Sequence, residues 1–260
     1  MRSLATVIAL AFADAPAAAL GCPPPPDYRA PTNLQLAESA NAIVLGEVVA
    51  GGKGTVLDPD AATITVHPLA ALKGLLPGAD IKLAGMTIAQ PGDAAAGAAS
   101  DPLAFADPQP EALAGACIRT VFPLGARALF FLRRVNGEWV PAGGPLSRWA
   151  EDVSGPDAPW VTLANLYATA SLLPPEQGRD KLEQHHAALL DHPDDPQAVA
   201  MAADLERSLS APARLSLAAL PPEPDDSVVA TGAGEVAEPA VAPPPGDLDA
   251  VRSAIDSFGR

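Results

Sequence analysis

The side chains best suited to holding a metal crowd one short stretch: His185, His186 and His192, with Asp191, Asp194 and Asp195 beside them. His185 and His192 lie seven positions apart, on one face of a helix that runs through both. A helical metal pair is normally two histidines four positions apart. The run therefore reads as a solvated helix end, and no metal site is expected. His67 stands alone on the polar face of a strand next to Pro68. Ser39, Ser147 and Ser154 lack the G-x-S-x-G setting of an activated nucleophile and have no evident third partner. Gly51-Gly52-Lys53-Gly54-Thr55 has the composition of a phosphate loop, but its leading glycine is not at the required offset. No catalytic residue and no cofactor are expected, and the chain is expected not to be an enzyme.

The remaining chemistry belongs to Cys22 and Cys117, and it depends on the compartment. Residues 1–21 read as a signal peptide: Arg2 is a short basic start, Leu4 to Ala13 an apolar run, and small residues follow. The run is too short to span a bilayer, and no later segment approaches about 18 uninterrupted apolar residues. Export to the periplasm or the extracellular space follows as the expectation. An even cysteine count in an exported chain suggests a Cys22–Cys117 disulfide. The alternative is a lipoprotein acylated at Cys22, since Ala19-Leu20-Gly21-Cys22 loosely resembles a lipobox, and two free thiols are the third reading.

The formal charge is −15 and aromatics are 4% of the chain. Such a surface repels nucleic acid, and binding of single strands needs a basic groove with stacked aromatics. Nucleic acid is therefore not an expected partner, and other envelope proteins are.

The elements that position these residues are mostly strands at first. Asn41–Val49, Thr63–Val66, Ile81–Leu83 and Ala126–Val135 are apolar or alternating runs of strand length. Asn136-Gly137 then marks a tight hairpin into Glu138–Pro141. Arg133-Arg134 sends one side chain to each face, as near a solvated rim. Residues 23–35 begin with four prolines, Pro23 to Pro26, a run that is stiff, extended and cannot be a helix, and residues 87–116 read as a long exposed insertion.

Cys22, Asn41-Ala42-Ile43-Val44-Leu45-Gly46-Glu47-Val48, Leu72-Lys73-Gly74, Cys117 and Gly125-Ala126-Arg127-Ala128-Leu129-Phe130-Phe131-Leu132 follow one another in a recognisable order. This stretch resembles the netrin-like and tissue-inhibitor-of-metalloproteinase-like family of OB-type barrels, particularly its bacterial members. The resemblance implies a five-stranded OB-like barrel over residues 22–150. It also implies a second function, protease inhibition through a mature N-terminal Cys22. Pro23 departs from that pattern, because in the family the side chain after the cysteine enters a specificity pocket and the proline ring is short and blunt, and the family's further N-terminal cysteine is missing.

Beyond the barrel, residues 157–210 predict a three-helix appendage. Asp157 is the expected cap of the first helix, with Pro159 in its first turn; the second covers Glu176–Asp191, and Asp195 caps a third over Pro196–Leu209. Residues 211–246 are proline-rich and acidic and are expected to be a disordered linker. Leu248, Val251, Ile255 and Phe258 form one apolar stripe, predicting a short amphipathic helix over 247–260. The fold expected is thus mainly β at the N-terminal side, then α-helical, then a disordered tail. The function expected is an exported, non-catalytic binding or scaffolding protein. Mass spectrometry of the protein from an envelope fraction should find a mature N-terminus at or close to Cys22. Intact Met1 in soluble envelope material would rule out the signal, and a diacylglycerol adduct on Cys22 would establish the lipoprotein.

Overall fold

The structure, a computed structural model, describes residues 27–52, 62–75, 77–89, 101–155 and 157–212, without the side chains of 114 and 115. The expected signal peptide 1–21, Cys22, most of the linker 211–246 and the stripe 247–260 lie outside the described residues.

Two long apolar runs form the middle of an antiparallel sheet. Strand β1 (Ala42–Gly51) pairs on one side with β2 (Thr63–Lys73) and on the other with β6 (Arg127–Val135). Strand β3 (Ile81–Ala84) adds to β2. The far edge of β6 is shared: β7 (Glu138–Pro141) pairs with its C-terminal half and β8 (Ala150–Asp152) with its N-terminal half. A separate parallel pair joins β4 (Thr87–Ile88) to β5 (Val121–Phe122).

The β1–β2 ladder slips register at Ile43/Val44, Leu45/Gly46 and Val48/Ala50. Such bulges bend a sheet and increase its twist. Gly46 permits the close approach, since a Cβ there would lie 2.4 Å from Val66 Cγ1. The bend brings β3 and β7 together, with Cα atoms within 8 Å. No ladder joins them among the described residues. Among the described residues the structure is thus a bent antiparallel sheet of six strands with four helices, and closure into the expected five-stranded barrel is not shown. Barrel closure needs hydrogen bonds between the end strands, and sequence pattern says nothing about whether those are made.

Both faces of this sheet are buried, which is why its central runs are continuously apolar rather than alternating. Ile43, Leu45, Leu129 and Phe131 face one core. Val44, Val48, Phe130 and Leu132 face the other, with Phe122 and Trp149. The first core is covered by α1 (Asn33–Ser39), α2 (Pro159–Ser171) and α4 (Pro196–Ser210); α3 (Pro175–Leu190) adds Leu182. The segment expected to be a helical appendage thus shares a core with the sheet.

Helix α1 was not foreseen; it begins at a reciprocal capping box formed by Thr32 and Gln35. Lys73 Nζ donates to Ala37 O at 2.7 Å and fastens the end of β2 to α1. Helices α2, α3 and α4 all carry proline in the first turn. Asp195 caps α4 as expected, accepting from Gln197 N at 2.9 Å. Asp157 does not cap α2; the cap residue is Ala158, which makes no side-chain bond. No helix among the described residues is long and apolar enough to cross a membrane.

The described part of 87–116 is not the exposed insertion its composition suggests. Phe105 is buried edge-on against Trp160, centroids 4.9 Å apart. Buried Glu111 accepts from the backbone of Thr120 at 2.9 Å and Val121 at 3.2 Å. Polar residues enter a core when every group finds a partner, and composition alone cannot show those partners.

Asp204 of α4 is the second buried polar centre. It accepts from Asn33 Nδ2 at 3.1 Å and from the Tyr167 hydroxyl at 2.7 Å, and it pairs with Arg207. Ser208 Oγ lies 3.0 Å from the Tyr167 oxygen. Burial, then the Asp204 charge, hold the Tyr167 hydroxyl well above the usual 10. The unfolded chain therefore loses this proton first as pH rises, so the contribution is full below about pH 10 and is lost above it. Thermal melts of Tyr167→Phe should show a loss of about 1–2 kcal/mol near neutral pH. They should also show a shallower alkaline decline than the unmodified protein, and equal alkaline slopes would refute this role.

Candidate functional site

The hairpin after β6 turns through Asn136 and Gly137, with φ of 50° and 80°. Both central residues are left-handed, as a two-residue primed turn demands. The turn sets Arg133 opposite Val140 and Leu132 opposite Pro141. Beyond β7 the loop 142–147 folds back, and residues 116–118 close the other side. The result is an open cleft of about 540 Å³ lined by Cys117, Ile118, Arg133, Val140, Gly143 and Pro145, among others.

Strain is concentrated in its walls. Cys117 has φ 67° and ψ −36°, and Leu146 has φ 59°. For residues with a Cβ such conformations cost about 1–2 kcal/mol each and persist only where the surroundings enforce them. Here the two enforce each other: Leu146 N donates to Cys117 O at 2.6 Å. Gly143, at φ 82°, leaves no room for a side chain, since a Cβ would lie 2.8 Å from Ser147 Cβ and 2.9 Å from Leu36 Cδ1. The Tyr28 hydroxyl donates to Pro145 O at 2.6 Å and ties the N-terminal arm to the same loop. Cys117 is disulfide-bonded.

The polar feature of the cleft is Arg133. Its Nε is buried and has no hydrogen-bond partner. Arg134, one position on, points the other way, stacks on Trp139 at 5.0 Å and donates to Gly137 O. The expected alternation of the pair holds, but Arg133 faces a concavity. A guanidinium N–H in apolar surroundings is suited to a carboxylate or carbonyl oxygen.

The residues singled out by type are scattered. Ser39 Oγ donates to Leu36 O at 2.9 Å, Ser147 is buried behind the cleft loop, and Ser154 is exposed. His67 Nδ1 lies 2.8 Å from Asp80 Oδ1, a pairing that sequence spacing does not suggest. His185 and His192 are exposed, and partial burial, then Lys181, lower the His185 pKa. No cluster of three or more metal-ligating side chains occurs among the described residues. Lys53 to Thr55 lie outside the described residues. The structure brings Cys117 and Arg133 to one cleft. The strained loop 143–147 was not foreseen; the Gly143-Gly144-Pro145 run is the signal that could have found it.

Comparison with protein-family models, curated proteins and solved structures finds no match to this chain.

Two substitutions test the strain. Gly143→Ala should destabilise by about 2–4 kcal/mol, through overpacking and the left-handed backbone together. Leu146→Gly should be neutral within about 0.5 kcal/mol or stabilising, because strain relief offsets the lost side chain. Urea titration reads both, and a clear loss in Leu146→Gly would show the conformation to be unstrained.

Proposed function

We propose that this is an exported, non-catalytic binding module of the bacterial envelope, and that the Cys117 cleft receives its partner. The observation that carries this reading is the buried Arg133 Nε, without a partner inside a largely apolar concavity. Arg133 as a whole is half-buried in the wall, and a guanidinium held there is suited to a carboxylate or carbonyl oxygen entering the cleft. Strand β7 ends the sheet beside it. Its outer edge faces β3, so the partner enters through the open mouth of the cleft, where it places a carboxylate or a carbonyl against Arg133. Export rests on the pattern of residues 1–21, and it places the protein in the periplasm or outside the cell.

The proposed disulfide partner of Cys117 is Cys22, the only other cysteine of the chain. In the chain-entropy account a loop of this length contributes about 4–5 kcal/mol. A bent antiparallel sheet with an early cysteine tied beside it supports kinship with the netrin-like and tissue-inhibitor-of-metalloproteinase-like barrels. One observation also favours the second reading, protease inhibition through a mature N-terminal Cys22. With Tyr28 anchored on Pro145 and Cys117 bridged, the arm 22–28 would begin at the mouth of the cleft. Pro23 remains a departure from the inhibitor pattern.

Envelope proteins retained by the full chain and by Arg133→Met should differ. Retention of the specific partner should fall by about tenfold or more, the worth of a buried charge-assisted hydrogen bond. An unchanged set would move the site away from the cleft. Measurable turnover of any substrate would overturn the non-catalytic reading, and a non-reducing peptide map should recover the Cys22 and Cys117 peptides joined.

A further inference from the structure

A second concavity lies on the helical side, away from the Cys117 cleft, and nothing in the proposed binding function uses it. It measures about 300 Å³, at the lower end of ligand-site volumes, and is formed where α1, α3 and α4 meet the end of α2. Leu182 and Leu209 make its floor, Leu34 a wall, and Leu173, 37% exposed, its rim. Glu38 stands on the α1 side and Arg179 on the α3 side. Pro212, the last described residue, also lines it, so the chain leaves the folded body from inside the groove itself.

We propose that residues 247–260 fold back as a helix and seat their apolar stripe in this groove. Leu248, Val251, Ile255 and Phe258 recur at spacings of three and four, which puts them on one helical face. The flanks of that face carry opposite charges, Arg252 on one side and Asp247 on the other. The groove is likewise lined by both charges, Glu38 on α1 and, on α3, Arg179, which pairs with Glu183 at 2.8 Å. A helix this short is marginal in water and needs a surface to form on. Residues 213–246 have the composition of a disordered tether, made more extended than a glycine-rich coil by its prolines and acidic residues but long enough to return to the groove. Starting at the groove, such a tether holds the stripe at an effective concentration near the millimolar range, so modest intrinsic affinity suffices. The volume matches two or three of the four stripe side chains, with the rest over Leu173 at the rim.

Hydrogen exchange on the full chain tests this directly. Amides across 248–258 should exchange about tenfold or more slowly than a free helix of that length. Ile255→Asp in the stripe and Leu173→Asp on the groove rim should each abolish the protection while the amides of β1 and β6 stay unchanged. Val199→Asp is the control: Val199 is half-exposed at a separate concavity between α3 and α4, and its substitution should have no effect. Fast exchange across 248–258 in the unmodified chain would overturn the proposal. So would protection that survives Leu173→Asp, protection lost in Val199→Asp, or protection that disappears on dilution, which would mean docking onto a second copy.

Discussion

The fold hangs on the burial of Arg148. Its guanidinium makes a two-pronged pair with Glu151, the outer prong 2.6 Å long, and Glu151 is completely buried. The same group donates to Ala104 O at 2.7 Å and to Asp107 O, and lies 4.8 Å over the ring of Trp160. One side chain thus joins β8, the segment 101–111 and helix α2. Burial pushes the Glu151 carboxyl up, and the Arg148 charge opposes it. A buried pair of this kind adds little net stability over an apolar substitute, but losing one partner costs about 3–5 kcal/mol. Its effect is therefore specificity: the insertion, the sheet edge and the helix layer can combine in one arrangement only.

Arg119 repeats the device one layer away. It pairs with Asp152 at 2.9 Å, stacks over Phe122 at 4.5 Å and offers its carbonyl to Trp149 Nε1 at 3.1 Å. Phe122, Phe130 and Trp149 pack mutually with centroids 5.7–6.0 Å apart. In a chain so poor in aromatics these few rings carry much of the buried area. The arginines hold the rings in register, and the rings exclude water from the ion pairs. Arg119, Trp160 and Arg207 each keep one buried N–H without a partner, as Arg133 does, but only at the Cys117 cleft does such a donor occur beside left-handed backbone at Cys117 and Leu146 among the described residues. Such costs persist where the surrounding structure over-determines them, and they cluster where proteins bind ligands.

Much of the chain was legible from local rules. Asn136-Gly137 dictates its turn through positive φ, Asp195 caps its helix through one short side chain, and proline sets the start of three helices. Each effect acts within a few residues, so neighbouring letters suffice to read it. The apolar runs of β1 and β6 likewise announce strands buried on both faces. Closure of the sheet was not legible, because it depends on whether β3 and β7 exchange hydrogen bonds after three bulges have bent β1 and β2. Nor was the burial of Glu111, Gln109, Glu151 and Asp204. Their polarity reads as surface until partners turn inward with them: Thr120 and Arg148 from nearby in the chain, Ala150, Asn33 and Tyr167 from far along it.

The candidate site divides in the same way. Sequence alone singled out Cys117 as a disulfide cysteine and read the Arg133-Arg134 pair as no more than a strand nearing a solvated rim. That Arg133 faces a concavity, with Cys117 across from it, depends on where loop 142–147 returns, and that path is set by contacts with Leu36, Ser147 and Tyr28. Periodicity and turn chemistry determined the elements of this protein, because they are local and additive. Tertiary packing alone decided which buried polar groups found partners and which few, Arg133 among them, did not, because partners as far apart in the chain as Asn33 and Asp204 meet only once the cores have formed.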